Sequence, residues 1–250
     1  MLRAVLVATV LALYTLLVGG PFVLYAWLTG SGERLYWVSI AGVRLALRLA
    51  GVKVEVVGRE KILRDRPCIF MPNHVSNADP PAVAVLLPRV SILGKRQVFR
   101  VPILGQAMRC AEMVPVDRAN PEAARAAVEE AVKILRRGLP FLVFPEGTRS
   151  RDGRLLPFKK GAFVLAIKAG VPIVPITILD SDRVIRKGEW AIHPGTIHIV
   201  VHDPIESAGY TLEQRDELLA RVRAVIASAL PEDRRAAGKP TTPAGPPVEL

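Results

Sequence analysis

Asn73-His74-Val75-Ser76-Asn77-Ala78-Asp79 is the stretch on which the reading of this chain turns. The apolar run Cys68-Ile69-Phe70-Met71 before it predicts a short buried strand. Pro80-Pro81 and then Ala82-Val83-Ala84-Val85-Leu86-Leu87 after it predict a helix. Asp79 stands at the N-cap of that helix, and Pro80 takes the first helical position, where no backbone donor is needed. His74 therefore leaves a strand end and Asp79 opens a helix, with four residues between them. Side chains so placed can meet. A carboxylate on one imidazole nitrogen fixes the tautomer and leaves the other nitrogen to accept a proton. The alternative is a capping aspartate beside a locally bonded loop histidine, and the spacing alone does not separate the two.

Working outward, the same alternation of strand and helix recurs. Residues 52–57 alternate apolar and polar and predict a strand, as do 90–93, 113–116, 141–144, 171–179 and 196–202. Asn120-Pro121 opens a helix that runs to Arg137 and stops at Gly138. Residues 161–169 predict a helix stopped by Gly170, and Thr211-Leu212-Glu213-Gln214 is a capping box that opens a last helix to Leu230. Strands alternating with helices give an α/β domain over 51–230, with a central, mostly parallel or mixed sheet flanked by helices. Residues 231–250 are rich in Pro, Gly and charge and predict a disordered tail. Pro172 and Pro175 in Val171-Pro172-Ile173-Val174-Pro175-Ile176 remove backbone donors, so that strand should sit at an edge or begin at a bulge.

The first 50 residues differ in kind. Residues 4–28 carry no charge and, as a helix, are long enough to reach through a bilayer core, but Gly19-Gly20-Pro21 is expected to cut the run. A signal peptide is the competing reading, against which stand the long apolar core and the lack of a small-x-small cleavage site. In 35–50, Trp37, Ile40, Ala41, Leu45 and Leu49 recur at helical spacing, with Arg44 and Arg48 on another face. That is an amphipathic helix suited to a membrane surface or to packing on the domain, and Gly51 is its stop. The expectation is an anchor over 1–50 that dips into one leaflet without crossing.

Composition bounds the partners. Half of the 250 residues are hydrophobic, and 34 Lys+Arg against 23 Asp+Glu leave a net charge of +11, which favours anionic partners. Only 6% of residues are aromatic and no basic-aromatic stripe appears, which argues against nucleic acid. Two cysteines, Cys68 and Cys110, fit a reducing compartment without a disulfide framework, and Cys68 in an apolar strand reads as an inert buried thiol. His193, His198 and His202 lack Cys, Asp or Glu neighbours beyond Asp203, so no metal site is expected.

Three further motifs follow in order: Val114-Pro115-Val116-Asp117-Arg118, Phe144-Pro145-Glu146-Gly147-Thr148-Arg149-Ser150, and the Val171 to Ile176 run. With the asparagine-histidine-x4-aspartate stretch they resemble the glycerolipid acyltransferases, and most closely the bacterial 1-acyl-sn-glycerol-3-phosphate acyltransferases. The likeness covers about residues 50–205. It implies acyl transfer from a thioester, acyl-CoA or acyl carrier protein, to the sn-2 hydroxyl of lysophosphatidic acid at the cytoplasmic face of the inner membrane, with no cofactor. His74 would be the general base and Asp79 its orienter. No covalent intermediate is required, and no G-x-S-x-G elbow is present. Arg118 and Arg149 match the family's phosphate-holding positions, and Lys95 a family lysine near the same site, although Gln97 stands where relatives often carry Glu. Glu146 matches a residue credited with acceptor binding. Gly147 permits close backbone approach and Thr148 offers a hydroxyl. The family places the Val171 to Ile176 run on the acyl-chain side, against the plainer reading of core. The Gly147 amide is the candidate oxyanion donor. The alternatives are a sister enzyme for another lysophospholipid or an amino-acid lipid, a catalytically idle lipid-binding module, and a thioester hydrolase.

Overall fold

Ile69–Pro72 (β2) is buried along its whole length, which only a strand covered on both faces can be. In the computed structural model, which describes residues 1–101, 104–117, 120–186 and 188–235, that strand is the middle of a seven-stranded sheet. The other strands are Val52–Val57 (β1), Ser91–Lys95 (β3), Val114–Val116 (β4), Phe141–Leu142 (β5), Ile173–Leu179 (β6) and Gly195–Val201 (β7), with helix Leu104–Cys110 (α5) between β3 and β4 in the chain. Their order is β1-β7-β6-β2-β5-β3-β4, parallel throughout except for the antiparallel pair β6–β7. The α/β sheet expected from the sequence is therefore present.

Strand alternation divides the core in two. Ile69 and Met71 join Ala131, Leu135, Phe163 and Leu218, from helices Pro121–Arg136 (α6), Gly161–Ala169 (α7) and Arg215–Ser228 (α9). Cys68 and Phe70 point the other way, to Ala50, Ala82 and Val83 of helices Glu33–Ala50 (α3) and Asp79–Ala84 (α4). Burying each large side chain contributes about 1.5–3 kcal/mol. Burial pushes the Cys68 thiol up to about 12, so it is unreactive at neutral pH.

β6 corrects one expectation: it lies between β2 and β7, not at an edge. Its prolines are tolerated for positional reasons. Pro172 precedes the strand, and its carbonyl accepts from Ile69 N–H at 2.9 Å. Opposite Pro175, the β7 side carries one extra residue, because Ile176 pairs with Val201 while Ile173 bridges Ile205. That is the bulge form of the expectation, and it removes the demand for a donor at Pro175.

Leu2–Tyr14 (α1), a π-helical turn Thr15–Gly19 and Gly20–Thr29 (α2) form one apolar helix of 28 residues. Gly19-Gly20-Pro21 does not cut it, contrary to expectation. The turn before Pro21 widens, with Gly20 N–H reaching back five residues to the Thr15 carbonyl, and this relieves the proline ring's clash with the preceding turn. The helix lies along α3, where Tyr14 OH donates to the Val38 carbonyl at 2.9 Å. Its outer side leaves Leu2, Leu6, Leu16, Leu17, Leu24 and Trp27 exposed. The buried residues of α3 are Leu35, Tyr36, Ile40, Gly42 and Ala50, which share only Ile40 with the face read in the sequence, and Trp37 is exposed. Past the last long helix, Glu232–Arg235 (α10) adds a helical turn within the predicted tail. The rest of that tail, 236–250, lies outside the described residues.

Candidate active site

β2, β3, β4 and β5 are mutually parallel, so their C-terminal ends share one edge of the sheet, where ligands of open α/β sheets bind. The loop after β2 carries His74. Asp79 corrects a detail, because it is the first residue of α4 and not its N-cap. Its carboxylate is turned back into the loop. Oδ2 accepts from His74 Nδ1 at 2.8 Å, from Val75 N–H at 2.7 Å and from Ser76 N–H at 2.7 Å. Asp79 is fully buried and the His74 side chain 16% exposed, so the bond is shielded while the ring opens outward. With Nδ1 committed as donor, Nε2 is the basic nitrogen.

The rest of His74 is held as firmly. Its N–H donates to Glu146 Oε1 at 2.6 Å, and its carbonyl accepts from Ser150 N–H at 2.8 Å. The Phe144 ring lies against the imidazole with centroids 4.2 Å apart. All three residues belong to the loop after β5. Glu146 is 1% exposed, and its second oxygen accepts from Leu156 N–H at 3.0 Å. Both its oxygens thus accept from backbone donors, of His74 and of Leu156. Burial pushes this carboxyl up to about 8, against the pull of the His74 and Leu156 amides.

Arg149 is brought to the same place: its Nη1 donates to Asn77 Oδ1 at 2.5 Å, spanning the loops after β2 and β5. Thr148 is exposed beside it. Gly147 sits in a left-handed turn at φ +68°, and its N–H donates to the Phe144 carbonyl at 3.1 Å, so this amide is not left for an oxyanion. Lys95 ends β3 with its backbone opposite Val116, at the same edge. Arg118 lies outside the described residues. His193, His198 and His202 do not converge: His198 lies 3.4 Å from Glu55, and His202 bonds Thr177 at 2.8 Å. Among the described residues no three His, Cys, Asp or Glu gather as metal ligands.

Sequence reasoning missed two supports that were in plain view. Asn73 bonds both backbone groups of Ile178, at 3.0 and 2.7 Å, tying the end of β2 to β6. Ser76 Oγ donates to the Ile185 carbonyl at 2.7 Å and accepts from Ala78 N–H at 3.0 Å. The available signal was polar residues of turn-forming type packed into a loop between two apolar segments.

Residues 53–179 match the family described as Acyltransferase. The chain is 32% identical over 202 residues to a chloroplastic 1-acyl-sn-glycerol-3-phosphate acyltransferase of Brassica napus, covering 80% of this chain but only 58% of that relative. It is 34% identical over 206 residues to the Limnanthes douglasii protein of the same name, covering 82% of this chain and 72% of that one. The crystal structure of the 1-acyl-sn-glycerophosphate acyltransferase from Thermotoga maritima superposes with a TM-score of 0.77 at 29% identity, over 90% of this chain and 92% of that one.

Proposed function

The chain belongs to the acyltransferase family, and we propose that it transfers a fatty acyl group from a thioester, acyl-CoA or acyl carrier protein, to the sn-2 hydroxyl of 1-acyl-sn-glycerol 3-phosphate. The observation that carries this reading is the His74–Asp79 pair, 2.8 Å apart and backed by two backbone donors. His74 Nε2 takes the proton of the acceptor hydroxyl as its oxygen attacks the thioester carbonyl. The C–S bond then breaks, and the thiolate leaves or takes that proton from the imidazolium. A thiol of pKa about 8.5 departs without strong acid help, so one positioned base is the main requirement. Asp79 stabilises the imidazolium through Nδ1. Arg149, and Arg118 by its place in the sequence, hold the acceptor phosphate through planar donor forks. Lys95 is read with them from its place in the sequence.

The apolar outer face of the N-terminal helix supports association with a membrane. The helix packs back along α3, and Ala26, near its C-terminal end, is buried against the protein. We read residues 1–50 as lying in one leaflet at the cytoplasmic face of the inner membrane, with the net positive charge drawn to anionic headgroups. Mass spectrometry of products from purified protein, offered mixed acyl donors and mixed lysolipids, tests the assignment. Phosphatidic acid as the dominant product is the expected result; preference for another acceptor, or free fatty acid alone, would overturn it.

A further inference from the structure

The turn α10 falls in a stretch that composition reads as tail, yet it grips the loop that supports His74. Leu155 N–H donates to the Arg234 carbonyl at 2.9 Å. The Leu155 carbonyl accepts from Arg223 of α9 at 3.4 Å, and the same Arg223 nitrogen bonds the Arg235 carbonyl at 3.4 Å. Arg234 then sends its guanidinium the other way, donating Nη1 and Nη2 to the two oxygens of Asp182 at 3.3 and 3.1 Å. Gly153 makes room for it. Gly153 sits at φ +78°, and a Cβ there would lie 3.3 Å from the Arg234 Cζ.

Both ends of this connection lead to the catalytic loop. On one side, Leu156 follows Leu155 and bonds Glu146, which holds the His74 N–H. On the other, Asp182 lies in the helical turn Ser181–Val184 (α8), next to Ile185, whose carbonyl holds Ser76 Oγ. Between Leu142 and Gly161 the chain forms neither strand nor helix, so the place of Arg149 is set by bonds of this kind. The Arg234 and Asp182 side chains are 20% and 27% exposed, sheltered enough to resist the screening that weakens a surface pair.

We propose that residues 231–235 are a clasp that sets the Arg149 loop over His74, with Arg234 as a positioning residue acting through Leu155 and Asp182. The proposal rests on Arg149 as the holder of the acceptor phosphate. Loosening the clasp displaces the phosphate site by a fraction of an ångström or more, and misplacement on that scale carries a large kinetic penalty.

The test is steady-state kinetics of the purified full chain with 1-acyl-sn-glycerol 3-phosphate and a long-chain acyl-CoA. Arg234→Ala and Asp182→Asn are each expected to raise the acceptor KM about tenfold, with the thioester KM within about twofold of wild type. Arg234→Lys, and the charge swap Asp182→Arg with Arg234→Asp, should recover the acceptor KM to within about threefold of wild type. An unchanged acceptor KM in Arg234→Ala overturns the clasp, as do equal losses for both substrates or a folded charge swap as impaired as the single variants. If Arg149→Ala itself leaves the acceptor KM unchanged, the phosphate reading fails. If it weakens the acceptor while Arg234→Ala does not, the clasp alone fails.

Discussion

Replacing Asp79 with Asn removes one charge and almost no volume, and the geometry fixes how the new side chain must sit. Three N–H donors converge on Oδ2 at 2.7–2.8 Å, so an amide nitrogen cannot take that place. The Asn oxygen therefore faces the loop, and its NH2 goes where Oδ1 now lies, buried and without a partner. The histidine tautomer survives. One cost is the buried unpartnered amide, about 1–3 kcal/mol of stability. The other is the lost attraction between the carboxylate and the imidazolium that forms during the reaction. At about 4 Å between charge centres and an effective dielectric of about 20 this attraction is about 4 kcal/mol, of which the amide dipole keeps a part. The expected loss is about 2–4 kcal/mol, or on the order of 30- to 1,000-fold in kcat, with both KM values within about threefold. Initial rates of thiol release, with urea denaturation run alongside, measure both terms. A kcat within about fivefold of wild type would show that the carboxylate is only a support; a loss beyond about 10⁴-fold in a folded variant would show that the backbone donors do not hold the tautomer.

Arg149→Ala should weaken the acceptor by about 1.5–3 kcal/mol, the worth of a hydrogen bond to a charged group, and spare the thioester. The two KM values side by side check it, and equal losses would assign the arginine to the donor or the fold. Glu146, held up at about 8 by burial against an ordinary value of 4.5, keeps in the folded state a proton that the unfolded chain releases. Stability should therefore fall as pH rises from about 4.5 to about 8, and that dependence should vanish in Glu146→Gln; urea midpoints at pH 5 and pH 8 decide it. For the one-leaflet anchor, single cysteines at Leu2 and Ser31 in a background free of Cys68 and Cys110 should both react with an impermeant reagent from the cytoplasmic side only. Reaction of the Leu2 position from outside, with Ser31 reacting from inside, would show a crossing helix.

Local rules placed most of the sheet. β1 and α7 fall where alternation, helical period and a following glycine put them. Asn120 caps α6 by accepting from Glu122 and Ala123 N–H at 3.0 and 3.1 Å, as its side chain and Pro121 predict. What these rules missed was decided by particular hydrogen bonds, some within the same loop or turn and some between groups distant in sequence. Asp79 leaves the cap because three loop donors outweigh its own helix's amides. Glu146 looks like a ligand in its motif, but its partner is a backbone amide 72 residues away. Gly19-Gly20-Pro21 does not break the helix because one π turn absorbs the proline, and periodicity contains no trace of that. The 231–235 turn is polar and short, with nothing apolar to announce it; its order comes from Arg223, Asp182 and Leu155.

The central claim is that His74 is the base, and the most direct measurement is turnover by His74→Ala in a protein shown by thermal unfolding to keep its fold. His74 is part-exposed, and its ring bonds Asp79 without filling the core, so the fold should survive. The expected result is a kcat lower by about 10²- to 10⁴-fold, with binding of acyl-CoA and lysophosphatidic acid retained. Near-normal turnover in the folded variant would contradict the account.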